Sequence, residues 1–151
     1  MKTVKKMAAI VLVGAMALSI AACKKSAKKV SVDDFKKACE EVGLTVEDLG
    51  ASDGVKEQYE ATNSDATLDV SYIVCESKDD AKKGFDMISS SADSLKDMGA
   101  DVNTSSDKIE ISIEGMMYSY AVRADDTVIT VSGSGEEAAS TAKDLVKKLG
   151  I

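Results

Sequence analysis

Residues 108–132 read Lys-Ile-Glu-Ile-Ser-Ile-Glu-Gly-Met-Met-Tyr-Ser-Tyr-Ala-Val-Arg-Ala-Asp-Asp-Thr-Val-Ile-Thr-Val-Ser. Ile109, Ile111 and Ile113 alternate with Lys108, Glu110, Ser112 and Glu114, the period of a strand with one buried face. Glu114-Gly115 and Asp125-Asp126 are turn dipeptides, so the stretch predicts three consecutive strands over 108–114, 117–123 and 127–132. Links this short permit only antiparallel pairing, because a parallel crossover needs a dozen or more residues.

Upstream, residues 55–61 and 68–75 predict two more strands; Leu68, Val70, Tyr72 and Val74 alternate with Asp69, Ser71 and Ile73. Three helices complete the order. Ser31 caps the first, which turns Phe35, Ala38, Cys39 and Val42 to one side and ends at Gly43. Ser77 opens the second, with Ala81, Phe85, Ile88, Ala92 and Leu95 at helical spacing before Gly99. Ser134 and Glu137 form a capping box for the third, whose inner face is Ala138, Ala142, Leu145 and Leu149. The expected fold is α+β: a two-layer sandwich of order α-β-β-α-β-β-β-α, a five-stranded antiparallel sheet with all three helices on one face. S-x-D-D-x-K-K occurs at 31–37 and again at 77–83. Duplication of an αββ unit would give this match, as would convergence on good helix starts, and convergence is the simpler source.

The chain has 151 residues, no His, no Pro and no Trp. Without His, Ser-His-Asp and Cys-His catalysis and the His-containing zinc sites are excluded within this sequence. The formal charge of −7 becomes −10 once the three lysines of residues 1–22 are removed, and −14 from Ser31 onward. A domain so acidic is a poor match for nucleic acid, whereas cations, basic peptides and cationic polymers fit its sign.

Lys2, Lys5 and Lys6 precede an uncharged run over 7–20, which is too short to cross a bilayer as a helix. Ile20-Ala21-Ala22-Cys23 follows at its end. These features resemble the class II signal peptide and lipobox of bacterial lipoproteins. The resemblance implies cleavage before Cys23, a diacylglycerol thioether on its sulfur, and anchoring to the outer face of the cell membrane by two acyl chains. The implied organisation is a signal peptide over 1–22, a lipidated Cys and Lys-rich tether over 23–30, and one acidic domain over 31–151. Lys24, Lys25, Lys28 and Lys29 make that tether attractive to an anionic leaflet, while the acidic domain is expected to stand off it. The S-x-D-D-F-K and S-x-D-D-A-K-K helix starts, and a late hairpin before an amphipathic terminal helix, resemble small lipoproteins of Gram-positive, clostridial-type bacteria without assigned activity. No catalytic or binding residue is transferred by that resemblance.

Candidate chemistry is sparse. Tyr118 and Tyr120 share one face of their strand and offer a ligand face with Arg123 at its rim, while Met117, Ser119 and Arg123 share the opposite face. With Ile109, Ile111 and Ile113 inward, Asp69, Ser71, Thr130 and Ser132 are expected on a wet outer face beside Lys108, Glu110, Ser112 and Glu114. Cys39 and Cys75 either form a disulfide across 35 residues or remain free buried thiols. Gly133-Ser134-Gly135 lacks the rest of any phosphate-loop pattern, and Glu136 and Glu137 would repel phosphate. The acidic doublets at 33–34, 79–80 and 136–137 complement helix dipoles, and 125–126 is a turn. No metal, cofactor or catalytic residue is expected. The expected role is a surface binding module for a small ligand or envelope protein. A ligand-free structural envelope component and a carboxylate-dependent cell-surface hydrolase are the alternatives.

Overall fold

The computed structural model describes residues 27–151, so Lys24, Lys25 and the lipobox residues Ile20, Ala21, Ala22 and Cys23 lie outside the described residues. In chain order the elements are α1 (Val32–Glu41), β1 (Thr45–Asp48), β2 (Val55–Thr62), β3 (Leu68–Cys75), α2 (Lys78–Lys96), β4 (Asp101–Thr104), β5 (Lys108–Ile113), β6 (Met117–Ala124), β7 (Thr127–Ser134) and α3 (Glu136–Leu149). One antiparallel sheet holds all seven strands in the order β1-β2-β3-β7-β6-β5-β4.

The class is α+β as expected, but the sheet has seven strands rather than five. The two additions, β1 and β4, are four-residue edge strands reading Thr-Val-Glu-Asp and Asp-Val-Asn-Thr. Each has one half-buried Val and no apolar run, and each takes its register from the longer hairpin neighbour beside it. Short acidic edges of this kind also discourage edge-to-edge association.

The helices lie on both faces, not one. α1 and α3 pack against Val70, Tyr72, Val122, Ile129 and Val131. Across the sheet, α2 brings Phe85, Ala92 and Ala81 against Ile109, Ile111, Ala121 and Val128. Register explains the division: Ile109 stands opposite Ala121, while Arg123 and Ile73 both stand opposite Val128, so the isoleucine row belongs to the face away from Tyr72. Ala121 with Val122, and Val128 with Ile129, are adjacent pairs buried on opposite sides. Such near-continuous apolar runs are what a strand covered on both faces requires. The expected polar face is therefore also revised. Asp69, Ser71, Thr130 and Ser132 share the isoleucine side, where hydroxyl pairs Ser71–Thr130 (2.8 Å) and Ser119–Ser132 (2.9 Å) bridge neighbouring strands.

The repeated S-x-D-D-x-K-K motif opens α1 and α2. Each helix leads three antiparallel strands, β1-β2-β3 and β4-β5-β6, and β7 lies between the two sets. A half-turn about β7 exchanges the sets and the faces, in keeping with α1 and α2 lying on opposite sides. Both motif serines cap as expected: the Ser31 and Ser77 hydroxyls accept from the backbone N–H of Asp34 and Asp80, each at 3.1 Å. Ser134 does not cap. It ends β7, and Gly135 takes the cap position of α3 at φ 86°, a conformation that favours glycine.

No disulfide joins Cys39 and Cys75, which are free and buried. Cys39 packs with α1 and α3, Cys75 packs beside Ala81 of α2, and the sheet separates them. Burial pushes the Cys39 thiol up to about 12 and raises that of Cys75, so neither is a nucleophile at neutral pH.

Candidate functional site

Strand directions define two ends of the sheet. The turns at 105–107 and 125–126 form a base, and those at 63–67 and 114–116, with the start of α3, form a crown. An eight-residue strand separates them by about 26 Å, well beyond a Debye length of about 8 Å at physiological salt. Charges at one end therefore act almost independently of those at the other.

The chain enters at the base. Ala27 donates its backbone N–H to Asp107 Oδ2 (3.0 Å), and Lys29 Nζ reaches Asp126 Oδ1 (2.6 Å). The Tyr72 hydroxyl donates to the Val30 carbonyl (2.9 Å), and Val30 is itself buried in the core. Residues 27–30 are thus a strap on the domain rather than free tether, and the folded unit extends back past Ser31 at least to Ala27. The Lys29 bond to Asp126 holds that carboxyl below its ordinary range and raises the Lys29 ammonium.

At the crown, a groove of about 540 Å3 lies between the first turns of α3 and the β4–β5–β6 edge. Asp101, Glu114 and Glu136 contribute carboxylates, Ser112 and Ser140 hydroxyls, and Lys143 the one ammonium. The Lys143 Nζ stands 5.3 Å from the centre of the Tyr118 ring. Among the described residues, the side chains of Asp101, Glu114 and Glu136 have no ion pair or hydrogen bond, and Lys143 has only its ring contact. Lys96, Lys147 and Lys148, by contrast, pair with Asp93, Asp144 and Glu41. Gly133 sets how closely α3 begins above the sheet: a Cβ there would meet the Ala138 carbonyl oxygen at 2.3 Å. Only glycine lets α3 start this close to the end of β7.

The expected ligand face divides. Tyr118 and Tyr120 are buried under α3, on the groove side of β6, and support it without forming its surface. Burial and the neighbouring Glu110 push the Tyr118 hydroxyl well above its ordinary value. Arg123 is on the other side of the sheet and near the base, with its guanidinium 5.9 Å from the Phe85 ring centre and one N–H donated to the Ser106 carbonyl (3.3 Å). The structure does not bring it to the tyrosines.

A second cavity, of about 400 Å3, lies at the base between the strap, α1 and the end of α3. Lys28, Lys29, Lys37 and Lys148 surround it, with Asp34 and Glu41. Asp34 is engaged by the Ser31 hydroxyl (2.8 Å) and Glu41 by Lys148 (2.8 Å). Among the described residues no group of three Cys, Asp or Glu could hold a metal ion. No helix there is long and apolar enough to cross a membrane.

No family model matches the chain, and no curated protein sequence matches it. Among solved structures, the extracellular domain of PknH from Mycobacterium tuberculosis is similar at 16% identity, over 83% of this chain and 79% of that one, with a TM-score of 0.37. A likeness that partial carries no functional conclusion.

Proposed function

We propose that the protein is a lipid-anchored, extracytoplasmic binding module that presents its crown groove to amine-bearing cationic ligands or to a basic segment of an envelope protein. Anchoring rests on the leader and lipobox sequence, with Cys23 as the lipidated residue. The observation that carries the reading is where the chain enters. The strap holds residues 27–30 at the base through Asp107 and Asp126, which supports a reading in which a lipid on Cys23 would lie next to the base and the groove would face away from the membrane. Three carboxylates against one ammonium set the sign of the ligand, and Lys143 offers a partner for a carboxylate such as a peptide C-terminus.

Two measurements test this. Cys23→Ala should move the protein out of the membrane fraction or leave it as a precursor; unchanged lipid labelling would remove the anchoring. A soluble form beginning at Lys24 should bind a free lysyl-lysine dipeptide, with the affinity falling as salt rises. A ligand at about 100 times its Kd adds about 2.7 kcal/mol, several degrees in the midpoint of a domain this size. No shift with the dipeptide or longer basic peptides would instead assign a structural role.

A further inference from the structure

We infer that the base is a membrane-contact surface, where the cavity between the strap, α1 and α3 seats the headgroup of an anionic phospholipid on Lys28, Lys29, Lys37 and Lys148. The inference rests on the anchoring reading above, which sets the leaflet beside Cys23. It goes beyond that reading because it makes the folded domain a second contact with the lipid.

Reach comes first. With residues 27–30 strapped down, only residues 24–26 separate Cys23 from Ala27, a Cα–Cα span of at most about 14 Å. The domain therefore cannot stand off by the length of the whole lysine-rich segment, and whatever surrounds Ala27 lies at the headgroups.

Charge comes second. Lys28 and Lys37 have no ion pair or hydrogen bond among the described residues; Lys37 acts on Glu41 through its charge alone, so both ammonium groups keep their donors for a phosphodiester. Lys29 and Lys148 are held in place by Asp126 and Glu41. Three carboxylates beside the strap are already engaged: Asp107 by the Ala27 N–H, Asp126 by Lys29, and Asp125 by Lys78 at 2.8 Å. Leu149 adds an apolar wall, and Lys24 and Lys25 extend the same basic run in sequence. Clustered lysines next to a lipid anchor are attracted to an anionic leaflet, and the attraction decays within a Debye length.

The test uses the full protein purified from membranes and reconstituted into vesicles of phosphatidylcholine alone or with phosphatidylglycerol, followed by lysine acetylation read by mass spectrometry. Lys28 and Lys37 should acetylate about fivefold more slowly in the anionic vesicles, the factor that about 1 kcal/mol per lysine corresponds to. Lys143 in the groove should acetylate equally in both, and high salt should abolish the difference. Equal rates for Lys28 and Lys37 in the two lipids, or equal protection of Lys143, would overturn the inference. The intact mass of the same sample reports the lipid on Cys23 separately. If that mass lacks the lipid, the anchoring reading fails on its own, and the same protein added to preformed vesicles still tests the lysines.

Discussion

The two ends of the sheet are built from the same residue types and differ in how those residues are paired. At the base, Lys29, Lys56 and Lys78 meet Asp126 and Asp125, and the backbone of Ala27 takes Asp107. Charge there holds the strap, and Lys28, Lys37 and Lys108 are left without an ion pair among the described residues. At the crown, Asp101, Glu114 and Glu136 have no partner among the described residues beside Lys143. Exposed ion pairs contribute at most about 1 kcal/mol each, so the pairing at the base is a matter of position more than of stability. What stabilises the strap is Val30 in the core and its bond from Tyr72. The lesson is that net charge, −14 over the domain, conceals a difference in placement: at the base Asp107, Asp125 and Asp126 are engaged around the strap, whereas the groove carboxylates at the crown have no partner among the described residues.

The comparison can be broken most forcefully at Gly133. Gly133→Ala forces a Cβ onto the Ala138 carbonyl and should cost about 3 kcal/mol, by the usual scale of overpacking, in chemical denaturation. It should also displace the start of α3 and impair the groove, while strap protection in hydrogen exchange persists below the unfolding transition. A smaller effect is expected from Asp101→Lys with Glu136→Lys. Lysyl-lysine affinity should fall at least about tenfold, equivalent to about 1.4 kcal/mol, whereas Asp53→Lys outside the groove should leave it within about twofold. Equal losses from both sites would reduce the groove to bulk charge.

Tyr72→Phe removes one buried hydroxyl and leaves the Val30 carbonyl without its donor. A loss of about 1 kcal/mol is expected, with faster amide exchange in residues 27–31 and unchanged dipeptide binding. The smallest effect is the pH response of the strap. Asp126 is depressed when folded, so its contribution is complete above the unfolded carboxylate value of about 3.9 and is lost as pH falls through the folded one. Lys29 is raised, so its contribution is complete below about 10.4 and is lost as pH rises through its folded value. Strap exchange, corrected for intrinsic rates, should be flat between these limits and rise outside them. A transition near pH 6 to 7 would contradict that, since no residue of the sequence is a histidine.

Much of the fold was legible because it is written in local chemistry. The caps at Ser31 and Ser77 and the alternation in β3 and β5 need no distant partner to be read. Sidedness was not legible from β5 alone: Ile109 and Ile111 show that one face is buried, but only their register against Ala121 shows which. The signal was available in β6 and β7, where Ala121-Val122 and Val128-Ile129 leave no polar face. β1 and β4 escaped because three polar residues around a single Val acquire strand structure only from a neighbour. The groove was illegible for a related reason. Asp101, Glu114 and the α3 residues Glu136 and Lys143 come from three segments, and Glu136 taken alone reads as the ordinary acid of a helix start. Tyr118 and Tyr120 were visible as aromatic residues on one strand face, but the third helix covers them.

The most direct test of the opposed ends is depth in a bilayer. A fluorophore is attached to Asp53→Cys near the base or to Glu114→Cys at the crown of the full protein purified from membranes and reconstituted in a bilayer, and quenching by nitroxide-bearing lipid headgroups is measured. Cys39 and Cys75, buried and free, should not take the label in the folded protein. If the base rests on the leaflet as proposed, the crown is about 26 Å further out, and the label at 53 should be quenched strongly and that at 114 hardly at all. Equal quenching at the two positions, or stronger quenching at 114, would contradict the assignment of the ends.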